Sequence, residues 1–334
     1  MKRLIVLFLA LTLCLSACAA LPSSSGNKRT VAMICDSTID DGGWGEACYK
    51  AMIRAAGDRG WDCRYTDAVP QDGYYDALAD FCEEGVTLLY VPGNQYTQAV
   101  LQAAEAYPDV SFALLNGTPE VPGQAVNKNV LTLLPNTQQI GWIAGAMAGL
   151  MTRTGTIAFI GGMELQTTRE KYESYAQAAQ YVAQQEGKEV RVLDCAYAGS
   201  YNDYDRGKTL AAELMEQGTD VFFGDASAVD SGARETIDQA NAEAGEPYIF
   251  DIAQPADLLG QNECVILSQV TDNAALLAAA MEAVENDAFG GETLYGTLQN
   301  QALSAGGISE LVPAELREKY MEYLEQMVDD TFMK

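Results

Sequence analysis

The chain has 334 residues, with 20 Lys+Arg against 47 Asp+Glu, no His, and a formal charge of -27. The missing His excludes Ser-His-Asp and Cys-His catalysis, HExxH metalloproteases and His-ligated zinc or haem. The acidity excludes nucleic acid as a partner and disfavours broad docking on anionic lipid, while 48% hydrophobic residues exclude intrinsic disorder.

Residues 1–18 read MKRLIVLFLALTLCLSAC. Lys2 and Arg3 precede an apolar run over 4–15, shorter than the roughly 20 residues of a membrane span. This is the pattern of a secretory signal. Leu15-Ser16-Ala17-Cys18 resembles a bacterial lipobox, which implies a signal peptide over 1–17 and a lipid on Cys18. Residues 18–29 contain LPSSSGN and read as a flexible tether. Losing Lys2 and Arg3 makes the mature chain two units more negative.

Besides Cys14 and Cys18 there are six cysteines, at 35, 48, 63, 82, 195 and 264, with no CxxC pair. A metal cluster or redox motif is therefore not expected, and no cofactor is. Export permits disulfides. Cys35, Cys63 and Cys195 lie in apolar runs that favour buried free thiols.

Beyond the tether, strand and helix patterns alternate. Strands are expected at 30–35, 61–65, 86–91, 110–115 and 130–134, with helices at 45–58, 74–84 and 95–106. A helix follows over 137–152. Its Gly141, Gly145 and Gly149 recur every fourth position and suggest close packing on a sheet. The alternation then restarts, with strands at 156–160, 190–195, 221–223, 248–251 and 265–268. The intervening helices are expected at 169–186, 204–217, 230–244 and 274–286. Strands separated by such helices form parallel sheets. The length also suggests roughly two domains. The expected fold is α/β and two-lobed, of the periplasmic-binding-protein type I kind, each lobe a parallel sheet flanked by helices. The first lobe is assigned 30–134 plus about 266–292, the second 135–265 plus about 293–334.

Ligands of open α/β sheets sit outside the carboxyl ends of the strands. Those ends carry Asp36-Ser37-Thr38, Gly93-Asn94-Gln95, Asn116-Gly117, Gly161-Gly162, Gly224-Asp225-Ala226 and Asp251. Gly161-Gly162 lacks the GKS/T of a phosphate loop. Asn202-Asp203-Tyr204-Asp205 lacks a calcium loop's length and reads as a helix cap. Asp40-Asp41 reads as capping and first-turn charge for the helix after Gly45.

The stretches VAMICDSTIDDGGWGEACYKAM, AYPDVSFALLN, NVLTLLPNTQQIGWIAGAMAGLMTRTGTIAFIGG, AGSYNDYDRGKTLAAELMEQGTDVFFGDAS and IFDIAQ resemble, in this order, the basic membrane protein family of substrate-binding lipoproteins. These are purine nucleoside receptors of ABC importers. The resemblance runs from about residue 30 to 313. It implies that Asp36 holds the edge of a base, that Trp44 stacks on the ring, and that Asn94 faces the base. Asn116 stands where the family has an aspartate for ribose hydroxyls, and Asp251 matches an acidic residue accepting from sugar hydroxyls. The family's loop usually reads Lys-Ser-Phe-Asn where this chain has Gly42-Gly43-Trp44-Gly45. The family's lysine after the late strand is replaced near Thr271.

Asp36 could instead cap a turn, Asn94 and Asn116 could be turn residues, and Asp251 could bind neighbouring amides. Asp225 joins the ligand candidates from its strand-end position, with Tyr201 and Tyr204 as further residues that could line the cleft. The reading is an extracytoplasmic, lipid-anchored, non-enzymatic protein that captures a nucleoside-like solute for an ABC permease. A sensor for a membrane receptor, or a carboxylate-based hydrolase, are the alternatives.

Overall fold

The computed structural model describes residues 28–40, 44–117 and 127–334. The expected signal, tether and Cys18 lipidation site up to residue 27, and Asp41 to Gly43, lie outside them. Only Lys28 and Arg29 of the tether are described.

In chain order the elements are β1 (Thr30–Ile34), α1 (Trp44–Arg59), β2 (Asp62–Thr66), α2 (Tyr74–Glu83), β3 (Leu88–Pro92), α3 (Thr97–Ala106), β4 (Ser111–Leu115), β5 (Val130–Pro135) and α4 (Thr137–Met151). They continue as β6 (Thr156–Gly161), α5 (Gln166–Gln185), β7 (Arg191–Val192), β8 (Ala196–Tyr197), α6 (Tyr204–Met215), β9 (Val221–Asp225), α7 (Ala228–Ala244) and β10 (Phe250–Ala253). The last are β11 (Val265–Thr271), α8 (Asn273–Glu285), β12 (Thr293–Gly296), β13 (Leu303–Ile308) and α9 (Ala314–Val328).

Two sheets result. One runs β12-β5-β4-β3-β1-β2 and is parallel throughout. The other runs β13-β11-β10-β9-β6-β7, with β8 also on β6, and only β13 is antiparallel. This is the two-lobed α/β fold expected.

The apolar runs explain the layering. Successive residues of a strand point to opposite faces, so a strand covered on both sides is apolar at every position. Val31 and Met33 join the core under α1 and α8, while Ala32 and Ile34 join that under α2 and α3. Phe159 and Phe223 pack with α4, α5 and α9, and Ala158 and Phe222 with α6 and α7. Each such buried large side chain stabilises by about 1.5–3 kcal/mol.

The chain crosses between lobes three times, and the return crossings differ from the expectation. β11, over 265–271, belongs to the second sheet, whereas 266 was expected to open the first lobe's return segment. β12, over 293–296, belongs to the first sheet, although its residues were assigned to the second lobe. The crossings are stitched together: Asn136 N–H donates to Gly296 O (2.8 Å) and Asp272 N–H to Ala302 O (2.8 Å). Gln139 is the central tie, accepting from Leu298 N–H (2.8 Å) and donating to Gln299 Oε1 (3.0 Å). Gln299 in turn donates to the carbonyls of Met327 and Val328 at the end of α9. β5 and β12 end at this crossing, and so does β11. The carboxyl edges of both sheets therefore meet at the hinge.

The glycines of α4 serve a different neighbour from the one expected. A Cβ on Gly145 would lie 2.3 Å from Tyr175 O and 2.8 Å from Ala178 Cβ, and Gly141 and Gly149 likewise abut α5. They permit close approach of helix to helix, not helix to sheet. The expected strand over 190–195 is split into the two-residue β7 and β8. All six described cysteines are free thiols, four of them buried.

Candidate functional site

The first cluster sits at the carboxyl edge of the first sheet. β1 delivers Asp36, which is exposed. Its backbone N–H donates to Tyr96 Oη (2.8 Å), and its Oδ2 accepts from Tyr74 Oη (3.2 Å) and Gln95 Nε2 (3.1 Å). The Tyr74 and Tyr96 rings pack 4.5 Å apart between centroids. Burial, reinforced by the Asp36 charge, pushes the Tyr74 hydroxyl up to about 12, so it stays a donor. Asp36 Oδ1 has no hydrogen-bond partner among the described residues. Among the described residues, the carboxylate is thus held at one oxygen only.

Trp44 lies between Gly43 and Gly45 in the sequence, a context that suggests an exposed, flexible loop, and its setting differs from that. It opens α1, is half-buried against the core, and its indole N–H donates to Pro92 O at the end of β3 (2.8 Å). It is a fixed ring rather than one on a flexible exposed loop. Asn94 is exposed in the turn before α3, where Thr97 Oγ1 donates to its carbonyl (2.7 Å) and to its Oδ1 (3.1 Å). Asn116 is exposed, with φ +59° and its N–H on Leu133 O. Asparagine tolerates that left-handed backbone, so its turn role holds.

The second cluster lies at the carboxyl edge of the other sheet. Asp225, the last residue of β9, accepts from Lys171 Nζ (2.9 Å) and Thr168 Oγ1 (3.1 Å), both on α5. Lys171 Nζ also reaches Gln254 Oε1 (3.4 Å), and Gln254 Nε2 donates to Gly224 O (2.5 Å). Tyr197 and Tyr201 lie over Gly161 and Gly162, where a Cβ would fall within 2.8 Å of either ring. Burial raises both hydroxyls, Tyr197 to about 12. Asp225 is therefore already paired rather than a bare acceptor. Sequence reasoning missed Lys171, Thr168 and Gln254.

Asp251 requires a correction. It is interior to β10 and 5% exposed, and its Oδ2 accepts from Arg234 Nε (2.8 Å). Its carboxylate belongs to a buried ion pair and is closed to a solute. The residue at this strand's end is Gln254. A second carboxylate, Asp230, shares the same interior: Oδ2 accepts from Ala226 N–H (2.7 Å), and Oδ1 has no partner among the described residues. Arg234 is hydrogen-bonded to Asp251, and its charge also acts on Asp230 nearby. Desolvation raises both, Asp230 to about 7, with Arg234 opposing.

A carboxyl whose folded value lies above its unfolded one adds stability below the unfolded value and loses it as pH rises through the folded value. Wild type should therefore lose stability on the order of a few kcal/mol as pH rises from about 4 to beyond 7. Asp230→Asn, which keeps an acceptor for Ala226, should flatten that slope. Urea midpoints at pH 5 and pH 8 check this, and an equal slope in both proteins would exclude Asp230 as its source.

The remaining expectations resolve simply. Asp203 caps α6 by accepting from Arg206 N–H (3.0 Å). Tyr204 is exposed and pairs with Glu235. Thr271, near the position of the missing lysine, donates its N–H to Pro255 O. No described helix is long and apolar enough to cross a membrane.

A family model described as Bmp, ABC transporter substrate-binding protein PnrA-like, matches residues 28–327. Basic membrane protein D of Borreliella burgdorferi is 21% identical over 319 residues, covering 95% of this chain and 89% of that protein. The ABC transporter nucleoside-binding protein BmpA of Lactococcus lactis is 25% identical, covering 68% and 64%. The crystal structure of a transcriptional activator of the comK gene from Bacillus halodurans superposes with a TM-score of 0.76 at 21% identity, covering 91% of this chain and all of that one.

Proposed function

Because the chain belongs to the Bmp family of PnrA-like ABC transporter substrate-binding proteins, which are binding proteins rather than enzymes, we propose that it captures a nucleoside for import. In this proposal it is held at the extracytoplasmic face of the membrane by a lipid on Cys18. The observation that carries the ligand reading is the carboxylate of Asp36, fixed on a tyrosine plate after β1, with the ring of Trp44 anchored at the end of the neighbouring β3. A carboxylate accepts from the amide or amine edge of a heterocycle, and an indole offers a stacking face. The nucleoside-binding relative in Lactococcus lactis supports the same class.

Asn94 and Asn116 complete the proposed wall of the first lobe, and the Asp225 cluster forms that of the second. A solute touching both walls favours the closed arrangement by its differential contacts, with the three crossings as hinge.

Calorimetry of the protein lacking residues 1–18 against a nucleoside panel tests this. At least one nucleoside should bind. Asp36→Asn should weaken it roughly tenfold or more, as expected for a hydrogen bond to a charged group worth about 1.5–3 kcal/mol. Trp44→Ala should cost about 1–3 kcal/mol of stacking. Unchanged affinity in either variant would remove that residue from the site, and no heat from any nucleoside would remove the ligand class.

The likeness to a comK activator favours a second reading, a sensor whose liganded form acts on a partner other than a permease. Uptake of radiolabelled ligand in a strain lacking the protein separates the two. Import depends on the protein in the first reading and not in the second.

A further inference from the structure

We infer that Lys171 is a solute-facing cation of the second lobe, donating to a hydroxyl of the bound nucleoside while Asp225 accepts from it. The inference rests on the nucleoside reading above and assigns its sugar-recognising pair.

Lys171 lies in the second turn of α5, the helix that leaves the carboxyl end of β6. Its side chain is 14% exposed and that of Asp225 is 22%, so the pair is sheltered but reachable. Arg169, on the same helix, is 56% exposed and 3.6 Å from Glu164. Arg234 is locked beneath, on Asp251. Among the described residues, Lys171 is thus the sheltered but open cation where β6, β9 and β10 end.

An ammonium has three donors. Asp225 Oδ1 at 2.9 Å takes one and Gln254 Oε1, at a long 3.4 Å, draws a second weakly. A donor remains for an entering oxygen. Thr168 on Asp225 and Gln254 on Gly224 O hold both charged groups in register, so little reorganisation precedes binding. Because the pair sums to zero charge, it suits a neutral group that both donates and accepts. A hydroxyl does both, and adjacent hydroxyls do so twice. A phosphate would meet Asp225 as a like charge.

The test is calorimetry on the full chain in mild detergent with guanosine, inosine and adenosine, each beside its free base, and with guanosine monophosphate. Wild type should bind a nucleoside at least tenfold more tightly than its base and than the phosphate ester. Lys171→Met should lower nucleoside affinity about 10- to 100-fold and leave base affinity nearly unchanged, the measurements being made well below the melting temperature of the variant. Lys171→Arg should restore part of the loss. Equal loss for nucleoside and base, or no loss for either, overturns the assignment. If no nucleoside or base binds wild type, the nucleoside reading falls, and native mass spectrometry then decides Lys171. A compound retained by wild type and lost from Lys171→Met supports a ligand contact. The same compound at equal occupancy on both proteins, or none on either, overturns it.

Discussion

Arg234→Met is expected to destabilise the protein by about 3–5 kcal/mol at pH 8, and by clearly less at pH 5. Arg234 Nε lies 2.8 Å from Asp251 Oδ2, with both side chains about 6–7% exposed. Removing the guanidinium leaves Asp251 and the neighbouring Asp230 without the charge that favours their ionised forms. Methionine fills similar space, so the loss is mainly electrostatic. Burial already raises both carboxyls in wild type. Without the arginine they rise further, so acidification protonates them more readily and relieves part of the penalty. Urea unfolding at the two pH values reads the difference. A loss below about 1 kcal/mol, or an equal loss at both values, would contradict a pair that matters through its charge.

The second large effect concerns helix contact. Gly145→Ala should lower stability by about 1–3 kcal/mol, although alanine is about 1 kcal/mol better than glycine inside a helix. The added methyl would fall 2.3 Å from Tyr175 O, a backbone atom of α5 that no side-chain rotation can move. Gly57→Ala, in α1, is the control. A Cβ there meets nothing within 4 Å, so propensity acts alone and stability should rise by up to about 1 kcal/mol. Thermal melts of the two variants check both signs. A stabilised Gly145→Ala protein would show that α4 and α5 are less closely held than described.

Much of the fold was legible because both sheets are covered on two sides, and such strands announce themselves as unbroken apolar runs. What was missed lacks that signal. β13 reads LSAGGI and β12 reads TLYG, short edge strands with few large apolar residues. α9 buries Tyr320, Tyr323 and Met327, a three-then-four spacing that could have been noticed.

The site shows the same contrast. Asp36 was readable because it directly follows an apolar strand. Asp251 was misplaced by a two-residue shift. Asn241 accepts from the N–H groups of Tyr248 and Ile249 and donates to Ile249 O, so a side chain, not the sheet, satisfies those backbone groups. The strand therefore begins at Phe250 and Asp251 turns inward. Lys171 was invisible because it lies 54 positions from Asp225 in the chain. Only the crossover that brings α5 alongside β9 joins them.

The central claim is that one solute is held between the two carboxyl edges. Mass spectrometry of small molecules released by denaturing the freshly purified full chain tests it most directly. The expected result is a nucleoside at close to one per chain, reduced in Asp36→Asn protein. A chain that carries no compound, and takes up no nucleoside when one is added, would contradict it.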